Sequence, residues 1–447
     1  MNFDLMRSLL IDRALRGELF SNVTSVEAEG KSLEEEQTTP FTIPNHWQWK
    51  RVADCVQFNP KVIQDDAVEV SFIPMADVEP GFVDQCSTRQ AKPWAKVKKG
   101  FSRFQEGDLL VAKITPCFQN RKSCVAKSLI NGTGAGSTEF HVMRCVSGVD
   151  AKFLLYFFKS EYFIRYGVNH FNGTVGQQRV GAQDIKDCLI PVPSVEEQVR
   201  IMAKLEEAFA EIDRAEKAYE ELQTLAGVLR GQILQEAIQG KLVPQLAEEG
   251  VVEQIGATPE KVPFEIPEKW KWYVLDQIGE FKKGPFGSAL TKSMFVPDGP
   301  NAVRVYEQRN AIEKDSQFAR YFITQEYYET KMKSFTVSAG DLIVSCAGTI
   351  GEIYQLPANT KDGIINQALM RVRLTDVMIG EYFQLVFASL IRDLCIAESG
   401  GTAIKNIPPF KVFKQFPIPV PPVQEQCRIV QKVRELMEYV DSIVDPK

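Results

Sequence analysis

The chain is rich in side chains that hydrogen-bond to nucleic acid and poor in those that do covalent chemistry. Lys92, Lys96, Lys98, Lys99 and Arg103 fall in one run, and Arg121 and Lys122 follow a stretch that reads as a strand. Lys282-Lys283-Gly-Pro-Phe-Gly-Ser288 is a Gly/Pro turn opened by two lysines, and Arg304, Gln308, Arg309 and Asn310 follow it closely. Two polar Gly/Thr loops complete the set. Asn172-Gly-Thr-Val-Gly-Gln-Gln-Arg179 supplies Gln177, Gln178 and Arg179, and Gly400-Gly-Thr-Ala-Ile-Lys405 supplies Lys405. Arginine and lysine suit guanine edges, glutamine and asparagine suit adenine, and lysines with loop amides hold phosphates. The chemistry expected of these clusters is recognition of duplex DNA. A single lysine taken alone reads as a solvated surface group. The Gly/Thr loops have a second reading, since both precede a long helix and would equally shape a junction there.

The residues of covalent chemistry are missing. Three histidines (His46, His141, His170) lie far apart, and nine cysteines form no Cys-x-x-Cys pair, so no zinc site and no Ser/His/Asp or Cys/His set is expected. Gly30-Lys31-Ser32 has the ending of a phosphate loop, but Ser25 stands where its first glycine belongs. Asn406-Ile-Pro-Pro-Phe410 resembles the Asn-Pro-Pro-Phe motif of amino-methyltransferases. Ile407 replaces its first proline, and no Phe-x-Gly-x-Gly loop accompanies it. No catalytic residue and no metal site is therefore expected. No run of eighteen apolar residues exists, so no membrane-spanning helix is expected; scattered thiols and the absence of a secretory leader point to the cytoplasm.

Charge is unevenly placed. The net charge is −6. Phe41 to Ile190 has 19 Lys/Arg against 14 Asp/Glu (+5), Phe264 to Ile418 has 18 against 17 (+1), and Val195 to Gly240 has 5 against 10 (−5). Acidity is concentrated outside the two long globular stretches.

Two copies of one plan position the clusters. Phe41-Thr-Ile-Pro-Asn-His-Trp-Gln-Trp49 returns as Phe264-Glu-Ile-Pro-Glu-Lys-Trp-Lys-Trp272 at an offset of 223. Gly107-Asp108-Leu109 returns as Gly340-Asp341-Leu342. The 24 residues from Ile190 return from Ile418 at an offset of 228, with 12 identical. After the first of these, Ile201, Leu205, Ala208, Ile212, Ala215, Tyr219, Leu222, Ala226, Leu229 and Ile233 alternate in steps of four and three. That is a heptad seam, and roughly 45 helical residues make a rod of about 67 Å. A homodimeric coiled coil would satisfy the seam. The chain offers its own partner, however. Ile429, Val433, Leu436, Val440 and Ile443 keep the register of the first copy, and Met6-Arg7 to Leu19-Phe20 matches Leu229-Arg230 to Leu242-Val243. The C-terminal and N-terminal helices together are expected to rebuild a second long helix, giving a closed ring cut inside it.

The expected fold class is α+β. Two mainly antiparallel curved sheets with flanking helices are joined by two long antiparallel coiled-coil helices, with an internal pseudo-two-fold. The segments are an N-terminal helix (1–20), a first domain (21–193), a long helix (194–240), a linker (241–263), a second domain (264–421) and a C-terminal helix (422–447). Gly107–Ile114, Phe140–Arg144 and Gly340–Ser345 read as strands; Phe153–Tyr166 and Ile379–Leu394 read as helices.

With the Phe-x-Ile-Pro-x-x-Trp-x-Trp openings, the Gly-Asp-Leu strands and the Ile-Pro-Val-Pro…Glu-Gln-x-Arg-Ile exits in hand, the chain resembles type I restriction–modification specificity subunits over almost its whole length. The resemblance implies that each domain reads one half of a bipartite double-stranded DNA target. It implies two methyltransferase subunits carrying S-adenosylmethionine and motor–nuclease subunits using ATP and magnesium, with no cofactor on this chain and no membrane partner. The near-neutral second domain departs from a basic DNA binder, and the methyltransferases would supply phosphate contacts there. Glu206, Glu207, Glu211, Glu216, Glu220 and Glu221 would hold the helical rod off the phosphates, so the outward helix faces and adjoining domain edges are expected to bind the methyltransferases. A solvated face is the plainer reading of that charge run. Two other classes compete with the whole: a scaffold that does not read DNA, and a fused methyltransferase or nuclease.

Overall fold

The computed structural model describes residues 1–19, 39–86, 90–174, 176–346, 351–398 and 407–445. The chain divides into two compact units, Met1–Ala218 and Tyr219–Lys447, and the boundary falls inside one continuous helix, Val195–Ile238.

Each unit packs part of that central helix against a helix from the other end of its own sequence. In the first unit Ile11, Ala14 and Leu15 of helix Phe3–Leu15 share a core with Ile201, Met202, Leu205 and Phe209. Arg7 reaches Asp213 at 2.7 Å and Glu216 at 2.5 Å. In the second, Ala226, Ile233 and Ala237 share a core with Ile429, Val433 and Val440 of helix Val423–Val444, and Arg230 reaches Asp441 at 2.6 Å. Arg7 and Arg230 are equivalents at the offset of 223, Asp213 and Asp441 at 228. Beyond the end of the central helix, the segment that follows continues the trend: Arg428 binds Glu249 and Gln245 donates to Glu425. One helix therefore rises in number as its partner falls, and the pairing is antiparallel. The expected seam is interrupted: Ile201, Leu205, Ala226 and Ile233 are buried, whereas Ala215 and Leu229 are exposed. Burial concentrates where each unit's own terminal helix packs.

The repeated motifs turn out to be joints. Gly17 ends the first helix at φ +75°, and Gly240 ends the central one at φ +71°. A Cβ on Gly17 would lie 2.4 Å from Pro44 Cγ and 3.3 Å from Trp47 Cζ2; on Gly240, 2.4 Å from Pro267 Cγ and 3.1 Å from Trp270 Cζ2. The Ile-Pro-x-x-Trp segment is thus a clasp over a helix end that only glycine admits. Its continuation pairs with the domain exit, Trp49 opposite Pro191 and Trp272 opposite Pro419. The Glu-Gln pair of the exit supplies a buried amide. Gln198 donates to Gly148 O and Pro193 O and accepts from Asp150 N; Gln426 donates to Val377 O and Pro421 O and accepts from Ile379 N.

Each domain holds two four-stranded sheets in place of the single curved one expected. In the first, Val56–Phe58, Phe140–Cys145, Leu109–Ala112 and Ser123–Val125 form an antiparallel sheet; Gln90–Pro93, Glu69–Ile73, Thr133–Gly136 and Ser102–Gln105 form a mixed one. The second repeats both, with Gly279–Lys283, Leu369–Leu374, Leu342–Ser345 and Ile353–Gln355, then Tyr321–Thr324, Ala302–Tyr306, Gly363–Ile365 and Thr336–Val337. The Gly-Asp-Leu motif turns the chain into a central strand. Gly107 and Gly340 sit at φ +84° and +86°, Asp108 and Asp341 accept the backbone N–H of Gln105 and Ser338, and each aspartate receives both arms of an arginine, Arg144 or Arg373.

Two helices differ from expectation. Phe153–Tyr166 is broken into Ala151–Lys159 and Glu161–Asn169 because Ser160 turns out of the helix, its hydroxyl donating to Phe157 O and accepting from Phe163 N. Ile379–Leu394 is carried through a wider turn at Phe387–Ile391 between Gly380–Val386 and Arg392–Glu398.

Lys159, at the end of the first of these helices, is fully buried and donates to Gly81 O at 2.8 Å and Arg121 O at 2.9 Å. Burial pushes its ammonium down from 10.5 to about 8. Folding therefore opposes the charged form, and that penalty fades as pH rises from about 8 to 10.5. Relative to Lys159→Met, the wild-type chain should gain up to about 3 kcal/mol of unfolding free energy across that window. Urea unfolding of both proteins at either end of it checks this; a difference that does not move with pH contradicts it.

Candidate DNA interface

The basic run of the first domain extends from the strand Gln90–Pro93 through the short helix Trp94–Val97 and the turn after it to the strand Ser102–Gln105. Lys96, Lys99 and Arg103 are exposed. Lys98 is tied to Asp66 at 2.6 Å, and Lys92 lies 3.3 Å above the centre of the Phe72 ring. Arg103 Nη1 donates to Lys98 O at 3.4 Å, so Lys98, Lys99 and Arg103 form one basic patch, whereas Lys92 stands on the strand Gln90–Pro93 at the opposite edge of the mixed sheet.

Arg121 and Lys122 are not part of it. Arg121 stands at φ +56°, donates to Lys159 O at 3.0 Å and pairs with Glu161 at 2.6 Å; Lys122 donates to Met75 O at 3.1 Å. Both hold the fold together. Gln177, Gln178 and Arg179 belong to a hairpin, with Phe171–Asn172 opposite Arg179–Val180. Arg179 grips both oxygens of Glu139 at 2.9 Å, which holds that carboxyl below its usual range, and Gln178 accepts from Thr115 N at its carbonyl and donates its N–H to Thr115 Oγ1. Gln177 is left exposed at the tip. The loop is thus anchored at its base and open at its end.

In the second domain Lys282 lies 5.1 Å from the Phe335 ring centre, and Lys283 and Ser288 are exposed. Arg304 points inward. It is buried, stacks on Tyr306 at 4.2 Å and donates to Phe318 O at 2.7 Å, so it serves as a packing group. Gln308 donates to Ser345 Oγ at 2.8 Å, and Arg309 is exposed over the Phe318 ring at 4.4 Å. Lys405 lies outside the described residues, as do Gly30-Lys31-Ser32 and the rest of the Gly400–Lys405 loop.

Sequence reasoning overlooked one pair. Ile63 is 86% exposed and Phe286 89%, more than any other large apolar side chain among the described residues. Each stands five residues beyond a paired strand phenylalanine, Phe58 or Phe281, and the two are 223 residues apart. A bare apolar tip at one place in both copies has no packing role and suits a partner surface. Laying the two loops over one another at the repeat offset would have found it. Among the described residues no cluster of metal-ligating side chains occurs, and no helix is long and apolar enough to cross a membrane.

These features define two copies of one α+β module, each built on its own part of the central helix. The family model for the type I restriction modification DNA specificity domain matches twice, over residues 44–224 and 267–443. The chain belongs to that family. It is 31% identical over 370 residues to the type I restriction enzyme EcoAI specificity subunit of Escherichia coli, spanning 62% of this chain and 63% of that one. It is 24% identical to the EcoEI specificity subunit of the same species, over 98% of this chain and 89% of the relative. The chain thus spans somewhat under two thirds of the first relative and most of the second. Among solved structures, the HsdS subunit from Thermoanaerobacter tengcongensis superimposes with a TM-score of 0.60 at 17% identity, covering 91% of this chain and 93% of that one. A chain from a study of assembly and conformational transition in the type I R-M system gives 0.69 at 18%, with the same coverage. Both share the fold.

Proposed function

We propose that this chain is the DNA-reading subunit of a type I restriction–modification complex. It recognises an asymmetric bipartite duplex target, one half per domain, and performs no covalent step itself. Two methyltransferase subunits bring S-adenosylmethionine, and motor–nuclease subunits bring ATP and magnesium. Its place of work is the cytoplasm, on chromosomal or incoming DNA.

One observation carries the reading. The frame is duplicated down to single bonds, whereas the exposed loops differ. The clasps, the buried glutamines and the aspartate–arginine turns recur in both units; the turn Lys282-Lys-Gly-Pro-Phe-Gly-Ser288 stands, at the offset of 223, where the first domain has Asn59-Pro-Lys-Val-Ile-Gln-Asp65, and the two share no residue. Two similar heads with dissimilar contact surfaces suit a target whose halves differ. Leu5 and Met6 on one helix, and their equivalents Val228 and Leu229 on the central helix, are exposed apolar residues. They support docking of one protein partner on each helix face.

The apolar tips give a test. With methyltransferase present, Ile63→Ser with Phe286→Ser should weaken binding to a target duplex roughly tenfold or more, since a stacked or wedged side chain contributes about 1–3 kcal/mol per base. The slope of log affinity against log salt should stay unchanged, because an apolar tip releases no counterions. Lys99→Ala with Arg103→Ala should instead flatten that slope. Wild-type affinity in the double-tip variant would remove the tips from the interface.

A further inference from the structure

The two domains differ in chemistry at the end of one strand. In the first, Glu69–Ile73 runs into Pro74-Met75-Ala76; in the second, Ala302–Tyr306 runs into Glu307-Gln308-Arg309. The sheets fix the equivalence. Ser71 lies opposite Gly134 and Arg304 opposite Gly363. Ser137 N donates to Ile73 O at 3.2 Å, and Asn366 N donates to Tyr306 O at 3.0 Å. One backbone therefore presents apolar residues in one copy and an acid, an amide and a guanidinium in the other.

Around that segment of the second domain is a cavity of about 450 Å³ lined by Glu307, Gln308, Arg309, Phe318, Arg320 and Asn366. Glu307 Oε2 is buried and has no hydrogen-bond partner among the described residues. Burial lifts this carboxyl above the usual range, and the charges of Arg320 and Arg309 pull it back. Arg320 is exposed above the Tyr321 ring, 4.9 Å from its centre. The basic turn packs behind one lining residue, Asn366. A Cβ on Gly284 would lie 1.8 Å from Asn366 O, so the loop that bears Phe286 is held directly beside the cavity.

A buried acceptor without a donor is costly, and a ligand that supplies a donor there recovers the loss. In the major groove only cytosine N4 and adenine N6 donate. Adenine adds an acceptor, N7, that a carboxylate repels, whereas guanine O6 and N7 suit a neighbouring guanidinium. We propose that this cavity reads a C·G pair in the half-site of the second domain, with Glu307 accepting from cytosine N4 and Arg320 donating to guanine O6 and N7 of the same or the next pair. The inference rests on the DNA-reading role argued above and assigns part of it to named side chains. The first domain, with Pro74-Met75-Ala76 at this place, cannot read its half by the same contacts.

The test uses the full chain with its methyltransferase in a host free of other adenine methylation, and maps methylated sites genome-wide. The wild-type chain should direct one bipartite motif with a fixed C·G pair in one half. Glu307→Gln offers the donor–acceptor pair that suits adenine, so that position should shift toward A·T or become degenerate. The ratio of C·G to A·T sites should fall at least about tenfold, and the other half should stay as it was. Arg320→Gln should relax the same or the adjacent position, and its exposed side chain keeps the test alive if Glu307→Gln fails to fold. An unchanged motif in both variants overturns the assignment. So does an even loss of methylation at every site with the motif intact, which marks a phosphate contact or a structural role. If the wild-type chain directs no sequence-dependent methylation at all, it is the DNA-reading role that fails, and the cavity assignment goes with it.

Discussion

Asp341→Ala is expected to destabilise the second unit by about 2–3 kcal/mol. Asp341 is nearly buried, accepts two bonds from Arg373 and one from Ser338 N, and so supports both the turn into the central strand and the strand beside it. Breaking a fully buried ion pair costs about 3–5 kcal/mol; Arg373 is 40% exposed and regains some hydration, which reduces the figure. Asp108→Ala should behave alike in the first unit, where Asp108 is completely buried and Arg144 is 32% exposed. Urea unfolding of each variant measures the loss. A double-mutant cycle with Arg373→Ala should return a coupling of at least about 1 kcal/mol. No measurable destabilisation would mean that the repeated Gly-Asp-Leu motif is kept for some purpose other than this turn.

Gly240→Ala is expected to be as severe. The added methyl meets Pro267 at 2.4 Å and Trp270 at 3.1 Å, while φ of +71° strains any residue with a Cβ. Strain alone costs about 1 kcal/mol, and the clasp must shift to relieve the clash, for a total of roughly 2–4 kcal/mol. At about 2–4 °C per kcal/mol for a unit of this size, the melting temperature should fall by on the order of 10 °C. Trp270 fluorescence should report the loosened clasp. Gly17→Ala, facing Pro44 and Trp47, should do the same to the first unit. A variant that melts as the wild type does would show that the helix end is not closed by this segment.

Much of the frame was legible in the sequence because the same physical problem is solved twice. A glycine that must take positive φ, a buried glutamine and a turn-closing aspartate each leave one obligatory residue type, and each reappears in the second copy. Trp47 with Trp270 and Gln198 with Gln426 are such pairs. The seam was legible at most of its positions, but apolar spacing marks a helix face without saying how far its partner extends; Ala215 and Leu229 keep the spacing and are exposed. Ser160 broke a helix that periodicity joined, since a hydroxyl that serves as cap looks like any polar position. The contact residues were the least legible. Arg304 and Arg121 are of the residue type that binds DNA, yet one stacks on the Tyr306 ring and the other closes a turn. Ile63, Phe286 and Glu307 drew no notice because neither an apolar residue nor an acid marks a DNA surface by type alone. Their signal lies in exposure, in a missing hydrogen-bond partner, and in what the other copy places at the same point.

The central claim is that this chain chooses the DNA sequence on which partner enzymes act. Genome-wide mapping of methylated adenines, in the host and in a strain lacking this gene, tests it most directly. A single bipartite motif with an unread spacer should be methylated in the first and unmethylated in the second, and restoring the gene should restore it. An identical methylation pattern in the two strains, with the methyltransferase present and active in both, would contradict it.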